Sequence, residues 1–248
     1  MNDKKILIIV PAYNEQSTIE DVIEKIHQNV QSADVLVVND GSSDNTSQAA
    51  RSKGAMVLDL PFNLGIGGAM QAGYKFAYKM DYDIAVQCDA DGQHRPAQID
   101  ILIDTLVNDK VDMVVGSRFI RKKRFKSEVF RWLGILIFCK VLSLITKQKL
   151  TDPTSGFRAV NKQVIKSFSR FYPADYPEPE ALVLLHRQKF TIKEVAVNMN
   201  SRKGGNSSIT GLKPFYYMVK VLLAIFIDLC KNYSLKNEGD KQCLESRL

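Results

Sequence analysis

The sequence predicts an α/β fold in which a mainly parallel sheet is covered on both faces. Three observations carry that reading. Short, continuously apolar runs alternate with helix-patterned stretches through the first half of the chain, as expected of strands buried on both faces and joined by crossover helices. Each apolar run ends in polar or acidic residues, and ligands of open α/β sheets sit beyond those strand ends. An apolar share of 45% over 248 residues supplies a real core for one large domain, or one domain with an appendage.

The first strand is read over residues 5–10. Lys4-Lys5-Ile6-Leu7-Ile8-Ile9-Val10 mimics a leader only briefly, because its apolar part stops at Pro11 and no small-residue cleavage site follows. Further strands are predicted over 35–39, 56–60, 84–88 and 113–115, and helices over 17–29, 46–52, 68–80 and 97–108. Five loops then meet at one rim: Tyr13-Asn14-Glu15, Asp40-Gly41-Ser42-Ser43-Asp44, the stretch 63–68, the stretch 89–93, and Ser117-Arg118. Gly65, Gly67 and Gly68 do not make a dinucleotide fingerprint, since Met70 stands where the third glycine belongs. They are read as a tight turn with amides open to a ligand.

The most informative stretch is Ile84-Ala85-Val86-Gln87-Cys88-Asp89-Ala90-Asp91-Gly92-Gln93-His94. A buried strand ending in two carboxylates is costly unless they are used. In extended backbone residues i and i+2 face the same side, so Asp89 and Asp91 converge, and Gln93 joins them if the trend persists past Gly92. An all-oxygen set of this kind suits Mg²⁺ or Mn²⁺ shared with substrate phosphates. An EF-hand loop is excluded, because Asp100 rather than Glu stands at loop position 12 and the glycine is misplaced. His94 and His27 are read as structural.

The net charge is +7, and much of the excess is local: Arg118, Arg121, Lys122, Lys123, Arg124, Lys126 and Arg131 fall within fourteen residues, opposed by Glu128 alone. Such a cluster serves nucleic acid, lipid phosphates or a phosphorylated substrate. No nucleic-acid recognition motif accompanies it, and its aromatics are limited to Phe119, Phe125 and Phe130. Cys88, Cys139, Cys230 and Cys243 form neither a zinc spacing nor a disulfide framework, which points to a reducing compartment.

The second half is less regular. Residues 131–147 read as a helix apolar on most sides, with Lys140, Ser143 and Lys147 as one polar stripe. Residues 214–231 repeat the design, with Lys213, Lys220 and Lys231 on one face. Neither offers the ~18 uncharged apolar residues of a spanning helix. Lysine-striped apolar helices beside a basic loop suit an anionic membrane surface, with burial in the core or in an oligomer interface as the alternative. The chain turns polar from Ser234 onward.

Taken together, Val10-Pro11-Ala12-Tyr13-Asn14-Glu15, Val38-Asn39-Asp40-Gly41-Ser42-Ser43-Asp44-Asn45-Thr46, Asn63-Leu64-Gly65, Asp89-Ala90-Asp91-Gly92-Gln93-His94 and Gly116-Ser117-Arg118 resemble a family 2 glycosyltransferase of the GT-A fold. The resemblance covers roughly residues 4–210. Asp152-Pro153-Thr154-Ser155-Gly156-Phe157-Arg158 and Arg202-Lys203-Gly204-Gly205-Asn206-Ser207 make the chain similar to the dolichyl- and polyprenyl-phosphate sugar synthases. It implies a Rossmann-like, nucleotide-diphospho-sugar transferase domain over 1–210, a membrane-associated or oligomerising helix over 211–233, and a polar tail over 234–248.

The resemblance also assigns roles. Pro11, Ala12, Tyr13, Glu15, Asp40, Asn63, Gly65, Asp89 and Ala90 line the nucleotide pocket, with Tyr13 stacked on the base and Asp40 on base or ribose. Asp89, Asp91 and Gln93 hold the metal. Arg118, Arg131, Arg202 and Ser207 hold acceptor phosphate, and Arg158 joins Asp89, Asp91, Arg118 and Arg202 in catalysis. The reaction implied is transfer of a sugar, by similarity from a UDP-linked donor, to a polyprenyl phosphate of the undecaprenyl type, with inversion. The enzyme would lie on the cytoplasmic face of the plasma membrane, alone, as a homo-oligomer or with a small membrane protein. If a base is needed, Asp152, Glu178 and Glu180 are the candidates. Transfer to a glycan hydroxyl and a non-catalytic nucleotide-binding scaffold are the alternative functions.

Overall fold

The computed structural model describes residues 4–120 and 129–200, with Lys220 and Leu223. Seven strands form one sheet in the order β3-β2-β1-β4-β6-β5-β7. They are β1 Ile6–Ala12, β2 Ala33–Asn39, β3 Met56–Asp59, β4 Ile84–Gln87, β5 Met113–Ser117, β6 Arg158–Asn161 and β7 Ile192–Ala196. All neighbours pair in parallel except β6, which runs antiparallel to both β4 and β5. The mainly parallel sheet expected from the sequence is therefore present, with one reversed strand inserted near its middle.

Every residue of β1 is buried, and its side chains alternate between two cores. Leu7 and Ile9 enter the core under helices α3 (Gly65–Lys79), α5 (Val129–Thr146), α6 (Lys162–Arg170) and α7 (Pro177–Arg187). Ile6, Ile8 and Val10 enter the opposite core, under α1 (Ile19–Asn29), α2 (Thr46–Ser52) and α4 (Ile99–Asn108). Burial on both faces is why this strand carries no polar alternation. The first four helices and five strands fall where the sequence puts them, within a few residues.

Helix α3 begins at Gly65, earlier than residue 68. Glycine inside a helix costs about 1 kcal/mol relative to alanine, which argued for a turn over 65–68. Packing overrides that cost at Gly67, where a Cβ would lie 2.4 Å from the Pro173 carbonyl oxygen. Gly67 and Gly68 are thus residues of the first helical turn rather than of a separate tight turn, and Gly65, with φ of +77°, opens the helix.

Elements β6, α6, β7 and α7 lie in the half that showed little periodicity. Asn161 caps α6, its Oδ1 accepting from the N–H groups of Gln163 and Val164. α7 starts at Pro177, where a missing N–H costs nothing, and carries Glu178 and Glu180 in its first turn. In α5, Phe138 and Leu142 enter the core while Leu144 is 72% exposed between the exposed Lys140 and Lys147. Among the described residues no helix is long and apolar enough to cross a membrane.

Candidate active site

β1 leads by crossover to β2 on one side and pairs with β4 on the other. The strand order thus reverses between β1 and β4, which opens a crevice beyond their carboxyl ends. Pro11 and Ala12 end β1 as buried residues, and the Ala12 carbonyl accepts from Asp40 N–H at 2.9 Å. Tyr13, next along, is 50% exposed. Asn14 takes the left-handed conformation (φ +54°). Its N–H donates to Ser42 Oγ, and its Oδ1 accepts from Ser43 N–H, both at 2.9 Å. Glu15 N–H donates to Thr46 Oγ1 at 2.9 Å, and the Glu15 carboxylate accepts from Thr18 Oγ1 at 2.8 Å. Asp40 is 4% exposed and accepts Leu64 N–H at 2.7 Å, while Asn63 Oδ1 accepts Gly65 N–H at 2.9 Å. These bonds join the loops after β1, β2 and β3 into one wall, with the Tyr13 ring standing out from it. Asp40 works in that wall as the anchor of the third loop.

The acids follow β4. Asp89 keeps 35% of its side chain exposed. Gln87 Nε2 donates to Asp89 Oδ1 at 3.2 Å, and Asp89 N–H donates to His94 Nδ1 at 2.9 Å. That bond leaves the proton of a neutral His94 on Nε2, which lies 3.5 Å from Asp89 Oδ2. The imidazole is 5% exposed and stacks on Phe157, 4.8 Å between ring centres. His94 is thus structural, as expected, and what it supports is Asp89. Gly156 lies against the same carboxylate, and a Cβ there would meet Gln87 Nε2 at 2.8 Å and Asp89 Oδ2 at 3.3 Å.

The extended spacing invoked for Gln93 does not hold. The chain turns at Ala90-Asp91, and Gly92 takes φ of +74°. Gln93 instead folds back on Asp91, its N–H donating to Oδ1 at 2.9 Å and its amide nitrogen to Oδ2. The structure makes it a brace for Asp91. Among the described residues no group of three or more His, Cys, Asp or Glu could hold a metal. Two hard carboxylates at the rim, Asp89 with 35% of its side chain exposed, fit Mg²⁺ or Mn²⁺ that draws the rest of its shell from a diphosphate and water. Burial and the charges of Asp89 and Asp91 push the thiol of Cys88, the residue before them, well up, so it stays neutral.

Arg118 follows β5. Its Nε and Nη2 donate to the two oxygens of Asp152, each at 2.7 Å, and its N–H donates to Asp152 Oδ2 at 3.0 Å. Nη2 also reaches Thr154 Oγ1 at 3.0 Å. Burial opposes the guanidinium's charge, but the Asp152 contacts outweigh it and hold the proton more tightly than usual. Asp152 is fully buried with both oxygens committed, which removes it as a candidate base. Glu178 has its carboxyl raised by burial, partly offset by Arg158.

Arg158 is a buried residue rather than an open rim cation. It is 1% exposed, and donates through Nε to the Ser155 carbonyl at 2.7 Å and through Nη2 to the carbonyls of Pro153 at 3.2 Å and Glu178 at 2.8 Å. A guanidinium sunk beneath the loop 151–157 and tied to three main-chain oxygens holds that loop on α7, while its buried Nη1 has no hydrogen-bond partner. Arg202, Ser207, the basic residues 121–126 and the segments 211–219 and 224–248 lie outside the described residues, and so does the side chain of Arg131 in α5. Gln87, Gly156 and Glu194 escaped the sequence reading; Gly156 alone carried a local signal, as a glycine within the acid-led motif 152–158.

The Glycosyl transferase family 2 model matches residues 7–168. The chain is 32% identical over 252 residues to the UDP-N-acetylglucosamine–dolichyl-phosphate N-acetylglucosaminyltransferase of Methanococcus voltae, covering 92% of this chain and 100% of that protein. It is 31% identical to the undecaprenyl-phosphate mannosyltransferase of Micrococcus luteus over 66% of this chain and 69% of the other. Among solved structures, glucosyl-3-phosphoglycerate synthase from Mycobacterium tuberculosis, in complex with Mn²⁺, UDP and phosphoglyceric acid, superposes with a TM-score of 0.67 at 23% identity, covering 92% of this chain and 79% of that one; it shares the GT-A fold. With the rim motifs and this sheet, the match over residues 7–168 establishes that the chain belongs to glycosyltransferase family 2.

Proposed function

We propose that this glycosyltransferase moves a sugar from a UDP-linked donor to a polyprenyl phosphate of the undecaprenyl type, with inversion at the anomeric carbon and with Mg²⁺ or Mn²⁺ bound. The observation that carries the reading is the pairing, on one rim, of the acids Asp89 and Asp91 with a guanidinium clamped in place by a buried carboxylate. Tyr13 offers a face for the base, and the cross-braced loops after β1 to β3 form the pocket wall. Asp89 and Asp91 hold the metal, which when bound neutralises charge on the leaving diphosphate. Two relatives whose names carry dolichyl or undecaprenyl phosphate support the acceptor class.

An alcohol acceptor needs a base. A lipid monophosphate, with its second pKa near ~6 as in phosphorylated side chains, arrives ionised and needs cations instead. Asp152, fully engaged with Arg118, agrees with a reaction that asks it for no proton. The Arg118 Nη1 hydrogens are outside those bonds and suit an oxygen of the acceptor phosphate. Attack from the face opposite the diphosphate inverts the sugar. The exposed Lys140, Leu144 and Lys147 of α5 support peripheral seating on an anionic membrane, on the cytoplasmic side where nucleotide sugars are supplied. Arg202 and Ser207 are proposed as further phosphate contacts.

The test is a donor screen. Purified protein is incubated with radiolabelled UDP-N-acetylglucosamine, UDP-glucose or GDP-mannose, Mn²⁺, undecaprenyl phosphate and an oligosaccharide with free hydroxyls. An acid-labile labelled lipid from a UDP sugar, abolished by chelator, is expected. Label on a glycan hydroxyl alone, or chelator-resistant turnover, overturns the proposal.

A further inference from the structure

Glu194 sits on edge strand β7, opposite Val115 of β5, and has no cation beside it among the described ion pairs. Burial raises its carboxyl, and hydrogen bonds from Asp152 and Thr151 work against that rise. A half-buried carboxylate without a charge partner is costly unless its lone pairs are filled. Here they are filled by two consecutive residues. Thr151 N–H is shared between Oε2 at 2.8 Å and Oε1 at 3.0 Å, Thr151 Oγ1 donates to Oε2 at 2.7 Å, and Asp152 N–H to Oε1 at 2.9 Å. Thr151 Oγ1 also lies 2.6 Å from Ser117 Oγ, in the residue before Arg118. Asp152 then places both oxygens on the Arg118 side chain and one on its N–H. Two carboxylates thus act in series about a two-residue hinge: the first fixes the main chain of 151–152, and the second fixes the guanidinium.

We propose that Glu194 is the positioning residue of Arg118, setting the direction in which its remaining donors meet the acceptor phosphate. An ionised carboxylate accepts at both oxygens and presents no hydrogen to the donors. A glutamine would turn an NH₂ group onto one of the N–H donors, and the hinge would have to move. The effect on turnover rests on the acceptor role proposed for Arg118; the effect on the guanidinium does not.

The experiment uses the full chain with Glu194→Gln, reading the Arg118 Nε–H resonance by NMR, the KM for undecaprenyl phosphate, the KM for the donor, and the melting temperature. The expected result is about tenfold faster hydrogen exchange at Arg118 Nε and about a tenfold rise in acceptor KM, with donor KM within about twofold. Thr151→Val, which removes the hydroxyl shared by Glu194 and Ser117, should move the same two readouts and serves if Glu194→Gln does not fold. Unchanged exchange at Arg118 Nε in a folded variant overturns the inference. Faster exchange with unchanged acceptor KM sustains the positioning role and overturns the acceptor role of Arg118. A proportional loss across both substrates with unchanged exchange marks Glu194 as merely structural and overturns it as well.

Discussion

The Arg118 guanidinium lies side-on to the Asp152 carboxylate, two parallel bonds of 2.7 Å joining a partly exposed cation to a fully buried anion. An ammonium cannot reproduce both bonds. Arg118→Lys is expected to raise the KM for undecaprenyl phosphate about tenfold while changing donor KM little, as steady-state kinetics will show. Arg118→Ala strands a buried charge and should cost about 3–5 kcal/mol in urea unfolding.

Removing charge from the other pole of the site acts on chemistry. Asp91→Asn keeps Oδ1 as acceptor for the Gln93 N–H, a flipped Gln93 amide accepts from the new NH₂, and the hold on a divalent ion weakens. Turnover should fall at least about a hundredfold, with an unchanged circular dichroism spectrum. Isothermal titration with Mn²⁺ and UDP should show the loss directly, and wild-type levels of both would reject a metal role for this acid.

Gly156 tests how closely the floor of the site is packed. With a Cβ only 2.8 Å from Gln87 Nε2 and 3.3 Å from the Asp89 carboxylate, Gly156→Ala must displace one of them. The expected outcome is a stability loss of about 1–3 kcal/mol together with a fall in kcat larger than that loss explains. A variant of normal activity would show that Asp89 need not stay where Gln87 and His94 hold it.

Much of this site was legible in the sequence because it lies where strands stop. Val86-Gln87-Cys88 announces a buried strand, and the acids after it can have no packing purpose. The parallel half of the sheet was readable for the same reason, since strands buried on both faces are apolar throughout. The reversed strand was not: β6 is four residues long and opens with an arginine. The bracing role of Arg158 was not readable, because an exposed and a buried arginine look alike in sequence; it is the carbonyls of Ser155, Pro153 and Glu178 that tie it to the loop. Glu194 was equally silent, lying between Lys193 and Val195 with no motif around it.

Acidity offers a separate check at Glu178. Burial holds its carboxyl above the ordinary 4.5, with Arg158 partly offsetting the rise. A raised carboxyl favours the protonated folded state, so its contribution is full below the unfolded value and is lost as pH rises through the folded one. Glu178→Gln should therefore melt higher than the parent at pH 7 in metal-free buffer, and the advantage should vanish toward pH 4. Differential scanning calorimetry at the two pH values decides it; an advantage independent of pH would assign the effect to packing.

The backward run of β6 has a practical corollary. A strand entering the sheet from the rim brings the connection before it, residues 151–157, to the mouth of the crevice, although that stretch comes after the nucleotide-side loops have all been laid down. On the roles proposed above, donor and recipient recognition are written in separate parts of the chain, the first before residue 100 and the second from Arg118 onward. Grafting 148–157 together with β7 from a relative of different lipid preference should change what is glycosylated without changing which nucleotide is accepted.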